Sequence, residues 1–143
     1  GSVRLTERAI PSRPAPVTEM EKARNLVAEL IGDVRIEVGT LVGVAGTWTS
    51  LAAIAQHLPE YSRDRVHGHR MSRESLARLI ETLSRMTVAE TADLPALDPK
   101  RAPVILAGAL VAEGVMDTLN VDEVVVSEHD TLDGLAREVL ALP

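Results

Sequence analysis

The segment best suited to chemistry is a glycine-containing turn, Gly43-Val-Ala-Gly-Thr47. It overlaps the end of a short apolar run, residues 40–45, and precedes a helical pattern over residues 49–57. Consecutive backbone N–H groups at a strand–helix turn can bind an anion without any positive side chain. Gly46 would let a ligand approach the backbone, and Thr47 would offer a hydroxyl. The same pattern is also typical of a tight turn in which Thr47 caps the helix, and both interpretations stay open.

A second candidate is Arg101, which begins a long apolar stretch, residues 101–119. A guanidinium can bind two phosphate oxygens at once. A cation near a helix start is slightly unfavourable, and contact with an anion would offset that cost. The alternative is a solvated arginine beside Lys100.

Most of the remaining candidates fall in one basic cluster. It attracts polyanions at long range, but such clusters are more often solvated surfaces. Two histidines of the cluster have no third ligand in register for a metal. His129-Asp130 lacks the other residues of a His-Asp phosphohydrolase site. The sequence therefore predicts no metal site and no catalytic residue here. The cluster consists of Arg63, Arg65, His67, His69, Arg70 and Arg73.

The composition of the chain indicates a globular protein and excludes several classes of function. The 143 residues suffice for one compact domain, and 25% charged residues is ordinary for a globular protein. Cysteine is absent, which excludes disulfides and thiol catalysis. A net charge of −6 argues against nucleic-acid binding, so a phosphate site would depend on local donors. No run approaches the roughly 20 apolar residues of a membrane helix, and no secretory signal is visible, so we expect a cytoplasmic protein without a membrane partner.

Hydrophobic periodicity predicts the elements that position these residues. A capping box of Thr18 and Glu21 opens the first helix, which Gly32 ends. Ser72 caps a second amphipathic helix. The run 40–45 is continuous, as expected of a strand buried on both faces. The alternation predicts an α/β layer structure with a largely parallel inner sheet. Predicted strands are residues 3–10, 40–45, 65–71 and 123–126; predicted helices are 18–32, 49–57, 72–86, 88–92, 101–119 and 132–142; residues 11–16 and 94–99 are loops.

Several sequence blocks resemble one family when taken in order and spacing. They cover almost the whole chain, and together they resemble the C-terminal domain of the Ppx/GppA family, the exopolyphosphatases and guanosine pentaphosphate phosphohydrolases. The blocks are residues 1–7, 42–53, 66–72, 101–110 and 119–127.

The resemblance implies one half of a ribonuclease H-like fold of the actin/Hsp70-like ATPase superfamily, with a mixed sheet flanked by helices. It makes residues 1–143 the C-terminal domain of a two-domain phosphatase. The family's catalytic carboxylate and its Asp-x-Gly-Gly-Gly phosphate loop belong upstream, and neither pattern occurs in this sequence. We therefore expect a fragment that is inactive alone. Gly1-Ser2 is compatible with native sequence and with a cloning remnant.

The family's members remove terminal phosphate from polyphosphate or guanosine pentaphosphate, usually with Mg²⁺. By resemblance, this half forms one wall of an active-site cleft. The loop at Gly43, Gly46 and Thr47 borders a phosphate channel, Arg101 lies on the cleft side, and Gly108 belongs to a second connecting helix whose small residues permit close helix crossing. The partners implied are inorganic polyphosphate or guanosine pentaphosphate and the N-terminal domain.

Two features depart from the family pattern. Trp48 stands where a small or β-branched residue is usual, and Asp130 and Leu132 stand where Gly and Arg are common. The second departure affects the choice of substrate. A different class of function also remains open, a non-catalytic interaction domain in which helix 101–119 and an uncovered sheet edge drive dimerisation. The isolated chain is in either case expected to form a homodimer.

Overall fold

The computed structural model describes residues 1–140 as one α/β unit, a small sheet with helices packed against it. The helices are α1 (Ser2–Ala9), α2 (Val17–Ile31), α3 (Ala45–Ala55), α4 (Arg63–Val66), α5 (Arg73–Arg85), α6 (Val88–Ala92), α7 (Ile105–Thr118) and α8 (Thr131–Leu140). The strands are β1 (Leu41–Val44), β2 (Arg70–Ser72) and β3 (Glu123–Ser127), and a 3-10 turn covers Pro99–Arg101.

The sheet has the order β1-β3-β2. β1 pairs with β3 in parallel, with Leu41 opposite Val124, whereas β2 pairs with β3 antiparallel, with Arg70 opposite Val125. The expected mixed sheet flanked by helices is confirmed, although the parallel part is a single strand pair.

Helix α7 forms the centre of the core. Its sequence is apolar almost all round, which is the pattern of a fully buried helix. Helices α1, α2, α3 and α5 all pack against it. Its buried residues are Ile105, Leu106, Ala107, Gly108, Ala109, Leu110, Ala112 and Met116.

The first predicted strand is wrong, because residues 3–10 belong to helix α1. Leu5 and Ala9, one turn apart, are its buried residues, so its apolar period is four rather than two. The N-terminus of α2 also differs, since the helix starts after Pro16 and Thr18 lies inside its first turn. Instead of the predicted capping box, Ser12 donates from its backbone N–H and its hydroxyl to the carboxylate of Glu19.

Strand β1 is not buried on both faces as predicted. Val42 and Val44 point away from the core, and 51% of Val42 is exposed. Residues 65–71 are also not one strand, because α4 ends at Val66 and only Arg70–Ser72 forms β2.

Several local predictions are confirmed. Ser72 caps α5 by accepting the Ser75 N–H at 3.1 Å, and α6 covers the predicted residues 88–92. The last predicted helix appears as α8, while residues 141 and 142 of that prediction lie outside the described residues. Within residues 1–140, no helix has the length and apolar character needed to cross a membrane.

Candidate functional site

The predicted glycine turn is the junction between β1 and α3. The helix begins directly after the strand, at Ala45, whose φ of 65° is left-handed. Val44, in the N-cap position, is extended, and no side chain caps the helix. Thr47 therefore lies in the first turn and does not cap it, which corrects one of the two interpretations. The first-turn N–H groups point out of an uncapped helix end, an arrangement that attracts anions.

Arg101 lies directly against this helix end. A Cβ added to Gly46 would lie 2.2 Å from both terminal nitrogens of the Arg101 guanidinium. The 3-10 turn that carries Arg101 is fixed by Asp98, whose carboxylate accepts the Lys100 N–H at 3.0 Å. Arg101 is exposed, and none of the ion pairs within residues 1–140 includes it. Its charge thus stands next to the helix terminus without a protein partner.

Gly108 is the point at which α7 meets the first turn of α3. A Cβ on Gly108 would lie 2.8 Å from Cγ2 of Thr47. Any larger residue would push the two helices apart. The expected close crossing of helices at a small residue is therefore present, and Thr47 is held by packing against α7.

Gly43 has a similar relation to Trp48. A Cβ on Gly43 would lie 2.6 Å from the indole ring, so the ring lies flush against the strand backbone. This contact gives a physical reason for the bulky residue at position 48, because the ring occupies the space that Gly43 leaves open. One side of Gly43 is consequently covered by protein.

The five predicted residues thus meet as neighbours, and three of them line two separate depressions. Arg101 lines a depression of about 570 Å³ between α3, the 59–61 segment and the 96–98 segment. Thr47 and Gly108 line a smaller one of about 340 Å³ beside α7. The larger is lined by Thr49, Ser50, Pro59, Glu60, Tyr61, Ala96, Leu97, Asp98 and Arg101.

Sequence reasoning missed most of the polar groups in the larger depression. Ser50 is only 4% exposed, yet it lines this space. Glu60 and Asp98 line the same depression as Arg101, so these three side chains carry −2 + 1 = −1 formal charge. Tyr61, the only tyrosine of the chain, gave the one available signal, because a single aromatic group in such a sequence is conspicuous.

Tyr61 is held in place by the segment that follows β3. Its hydroxyl donates to the carboxylate of Glu128, which also pairs with Arg63 at 3.3 Å. Burial, and next the hydrogen bond to Glu128, raise the pKa of Tyr61. The backbone N–H of Glu128 donates to Nδ1 of His67 at 3.2 Å, and the His67 ring lies edge-on to His129 at 5.0 Å. These contacts fix one wall of the larger depression.

The basic cluster is largely neutralised by neighbouring carboxylates. Arg63 pairs with Glu128, Arg70 with Glu123, and Arg73 with Asp117. Paired charges of this kind contribute little long-range attraction, which favours the interpretation as a solvated surface. No group of three or more His, Asp or Glu side chains suited to a metal ion occurs among residues 1–140.

Comparisons with known proteins agree with this geometry. The family model of the Ppx/GppA phosphatase family matches residues 1–140. Exopolyphosphatase 2 of Mycobacterium tuberculosis is 39% identical over 145 aligned positions, covering 95% of this chain and 46% of that protein. Exopolyphosphatase 1 of Mycobacterium leprae is 29% identical and is covered to 41% of its length. The chain thus spans less than half the length of these relatives.

Solved structures show the same relation. The Ppx/GppA family member of Aquifex aeolicus superposes with a TM-score of 0.91 at 26% identity, covering 99% of this chain and 47% of that one. An exopolyphosphatase-like protein superposes with a TM-score of 0.85 at 33% identity, covering 97% of this chain and 48% of the other. The fold is accordingly that of the actin-like ATPases. With a family match over nearly every residue, this chain belongs to the Ppx/GppA phosphatase family.

Proposed function

We propose that this chain forms one wall of the active-site cleft of an exopolyphosphatase, which hydrolyses the terminal phosphoanhydride bond of inorganic polyphosphate. The observation that carries the proposal is the exposed guanidinium of Arg101, which has no ion pair within residues 1–140 and lies on Gly46 at the uncapped N-terminus of α3. An arginine and a helix N-terminus converging on one point favour a phosphate group. The names of the relatives support polyphosphate as the substrate.

The proposed contact lies at the mouth of the larger depression. Glu60 and Asp98 line the same space and would repel a polyanion that entered deeply. The phosphate would therefore rest between Arg101 and the first-turn N–H groups of α3, with Thr47 and Gly108 supporting that turn from below. Gly43 contributes through the position of Trp48. In this proposal the chain orients and neutralises phosphate, which is the main task of a protein in phosphoryl transfer.

The chemistry of bond cleavage is assigned to the rest of the polypeptide. Family resemblance implies Mg²⁺, which would neutralise phosphate charge. Residues 1–140 contain no group of three or more His, Asp or Glu side chains that could hold the ion, and the proposal gives them no part in binding it. The proposal accordingly gives this chain no catalytic base.

The test is Arg101→Ala in the whole protein, with Lys100→Ala as the matched control. Loss of one charge-assisted contact costs roughly 1.5–3 kcal/mol, a decrease in kcat/KM of about 10- to 150-fold. Lys100 is a neighbouring exposed cation on the same turn, so its removal is expected to leave kcat/KM within about twofold. Equal effects of the two substitutions would show that only general positive charge matters.

Substrate choice is tested with the same pair of variants. Phosphate release is measured from polyphosphate and from guanosine pentaphosphate, the alternative substrate. A larger kcat/KM for polyphosphate, with Arg101→Ala reducing it, supports the proposal. A larger kcat/KM for guanosine pentaphosphate would instead indicate a guanosine pentaphosphate phosphohydrolase. Robust phosphate release by residues 1–143 alone with Mg²⁺ would contradict the half-site assignment.

A second candidate function is self-association. The prediction that helix 101–119 drives it is wrong, because α7 is buried in the core of its own chain. The sheet edge remains, since β1 has a partner on one side only and exposes Val42 and Val44. Exposed apolar edge strands pair with like strands.

We therefore expect residues 1–143 to dimerise through β1. In sedimentation experiments Val42→Lys should give monomers at concentrations at which the parent chain is a dimer. Leu30→Lys, an equally apolar exposed position on α2, should not. A monomeric parent chain at high micromolar concentration would rule out this function.

A further inference from the structure

The larger depression combines a buried polar floor with a charged rim. Its volume of about 570 Å³ lies within the range of small-molecule sites. On the floor, Thr49 and Ser50 of α3 are only 7% and 4% exposed, whereas Glu60 and Asp98 are exposed at the rim. The proposed phosphate contact involves Arg101 at the mouth and gives these other polar groups no ligand.

Ser50 is the residue that points to a ligand. Within residues 1–140, no hydrogen bond includes its hydroxyl. In this part of the chain, every fully enclosed side-chain nitrogen or oxygen has a hydrogen-bond partner. The Ser50 oxygen, which has none, therefore opens into the depression that the residue lines. Polar groups in nearly buried residues are normally hydrogen-bonded, and a molecule in the depression can supply the partner.

The charge of the rim favours a cation. Glu60 takes part in no hydrogen bond or ion pair within residues 1–140. Asp98 accepts the Lys100 N–H at 3.0 Å but forms no ion pair in the same range. Carboxylate and hydroxyl oxygens all accept hydrogen bonds, so a positively charged donor is the complementary ligand.

The apolar part of the lining favours an organic cation over a metal ion. Among the described residues, no cluster of three or more His, Asp or Glu side chains is suited to a metal. Pro59, Leu97 and the Tyr61 ring also line the depression. Methylene groups can pack on such side chains, and an aromatic ring can attract an ammonium group. Aliphatic amines with two or more ammonium groups combine both properties.

We propose that the larger depression binds an aliphatic polyamine. Its ammonium groups donate to Glu60, Asp98 and Ser50, and its methylene chain packs on the apolar wall. The site is distinct from the phosphate contact, which involves Arg101 and the first turn of α3. Polyamine binding itself therefore does not depend on the proposed function.

The two sites should influence each other, and this step rests on the proposed function. A bound polyamine offsets the negative charge of Glu60 and Asp98, which opposes a phosphate at the mouth. A phosphate on Arg101 in turn neutralises the one positive charge of the lining. Each ligand should therefore strengthen binding of the other by the same factor.

The experiment measures spermidine binding to the whole protein encoded by the gene by isothermal titration calorimetry, in about 0.15 M salt to screen general attraction. Ser50→Ala keeps the net charge and removes only a hydroxyl, and it should weaken binding about tenfold. Glu60→Gln should weaken binding about threefold to fivefold. Glu29→Gln, the matched control, removes the same charge from α2 and should leave the Kd nearly unchanged. Asp98 is not substituted, because it fixes the turn that carries Arg101.

Four results would overturn the polyamine site. They are no binding at millimolar spermidine, an unchanged Kd in Ser50→Ala, and equal effects of Glu60→Gln and Glu29→Gln, which would indicate general attraction by an acidic protein. The fourth is tighter binding of guanosine, a neutral ring with several donors, because it would assign the depression to a nucleobase.

The coupling between the sites is tested by repeating the titration in inorganic phosphate. Phosphate should tighten spermidine binding in the parent protein and should not do so in Arg101→Ala. An equal response of the two proteins would refute the coupling. Absence of phosphate release from polyphosphate by the whole protein would contradict the proposed function alone, because spermidine binding is measured without substrate.

Discussion

Two arginines show how differently one side chain is used in two regions of this molecule. Arg13, in the loop between α1 and α2, is half-buried, and burial lowers the pKa of its guanidinium. Arg101, at the mouth of the larger depression, is exposed and has no ion pair within residues 1–140. Arg13 donates to the carbonyl oxygens of Leu83 at 2.8 Å, Met86 at 3.1 Å and Ala102 at 3.5 Å, and to the hydroxyl of Thr91 at 2.8 Å.

Arg13 therefore has a structural role, whereas the charge of Arg101 is available to a ligand. Arg13 binds the carbonyl oxygens of Leu83 and Met86 at the C-terminus of α5, where helix carbonyls lack intrahelical partners, although Leu83 also accepts the N–H of Met86. It also reaches the fully buried Thr91 of α6. Arg101 satisfies nothing in the described part of the protein, so its removal leaves no buried acceptor unpaired. The same substitution should therefore change the stability of the chain strongly at Arg13 and very little at Arg101.

The largest expected effect is on stability. Arg13→Met retains an apolar stem but removes four half-buried hydrogen bonds, and it should lower the free energy of unfolding by about 3 kcal/mol. Arg101→Met should change it by less than about 0.5 kcal/mol. Urea unfolding of residues 1–143, followed by circular dichroism, measures both.

Arg85→Met is the control for loss of an arginine in general. Arg85 pairs with Glu81 on the exposed face of α5, and such pairs contribute only about 0.3–0.5 kcal/mol. Similar losses for Arg13→Met and Arg101→Met would remove the distinction between the two regions.

A second prediction compares two glycines of the β1–α3 turn. Gly43→Ala should destabilise the chain by roughly 1–3 kcal/mol, because its Cβ would meet the rigid Trp48 ring at 2.6 Å. Gly46→Ala should cost less, because its Cβ meets only the mobile end of Arg101. Trp48 is the only tryptophan, so its fluorescence reports the first change directly.

Gly39→Ala serves as the control, because nothing lies within 4 Å of its added Cβ. An unchanged emission spectrum for Gly43→Ala would mean that Trp48 does not depend on Gly43. A larger loss of stability for Gly46→Ala than for Gly43→Ala would show that Arg101 is fixed rather than free.

The sequence predicted the elements whose pattern is local. Helix α5 was predicted correctly from its periodic apolar residues and from Ser72 as its N-cap. The burial of α7 was indicated by its continuous apolar sequence. Helix α1 was missed because eight residues contain only two buried positions, too few to separate a period of four from one of two. Arg13 was missed because its acceptors lie far along the chain, at the end of α5, in α6 and directly after the 3-10 turn.

The candidate site could be predicted mainly from the resemblance to the family. Gly46 and Arg101 are both ordinary residues in the sequence, and only the fold brings them together. The pairing of Thr47 with Gly108 depends in the same way on how α3 crosses α7. The larger depression could not be predicted, because Ser50, Tyr61 and Asp98 share no spacing. Long-range packing decides these contacts, and no local pattern encodes them.

The smallest expected effect is a pH dependence in the Arg13 region. Glu90 accepts the backbone N–H and the hydroxyl of Thr87, both at 2.8 Å, which completes the capping box of α6. The hydrogen bond from the backbone of Thr87 is the main cause that lowers the pKa of Glu90 below its ordinary value of 4.5. A carboxylate with a lowered folded pKa contributes stability that is present above 4.5 and is lost as pH falls through the folded pKa.

Glu90→Gln keeps an acceptor but removes the titration, so the variant should be less stable than the parent at pH 7 and should approach it in acid. Urea unfolding of residues 1–143 at pH 7 and at about pH 3, where most free carboxylates are protonated, measures this convergence. Glu81→Gln is the control, because its exposed pair with Arg85 is weakened by salt. The Glu90 effect should persist in salt because it depends on hydrogen bonds at a helix start. A constant difference between Glu90→Gln and the parent at both pH values would show that the charge on Glu90 does not stabilise α6, the helix that presents Thr91 to Arg13.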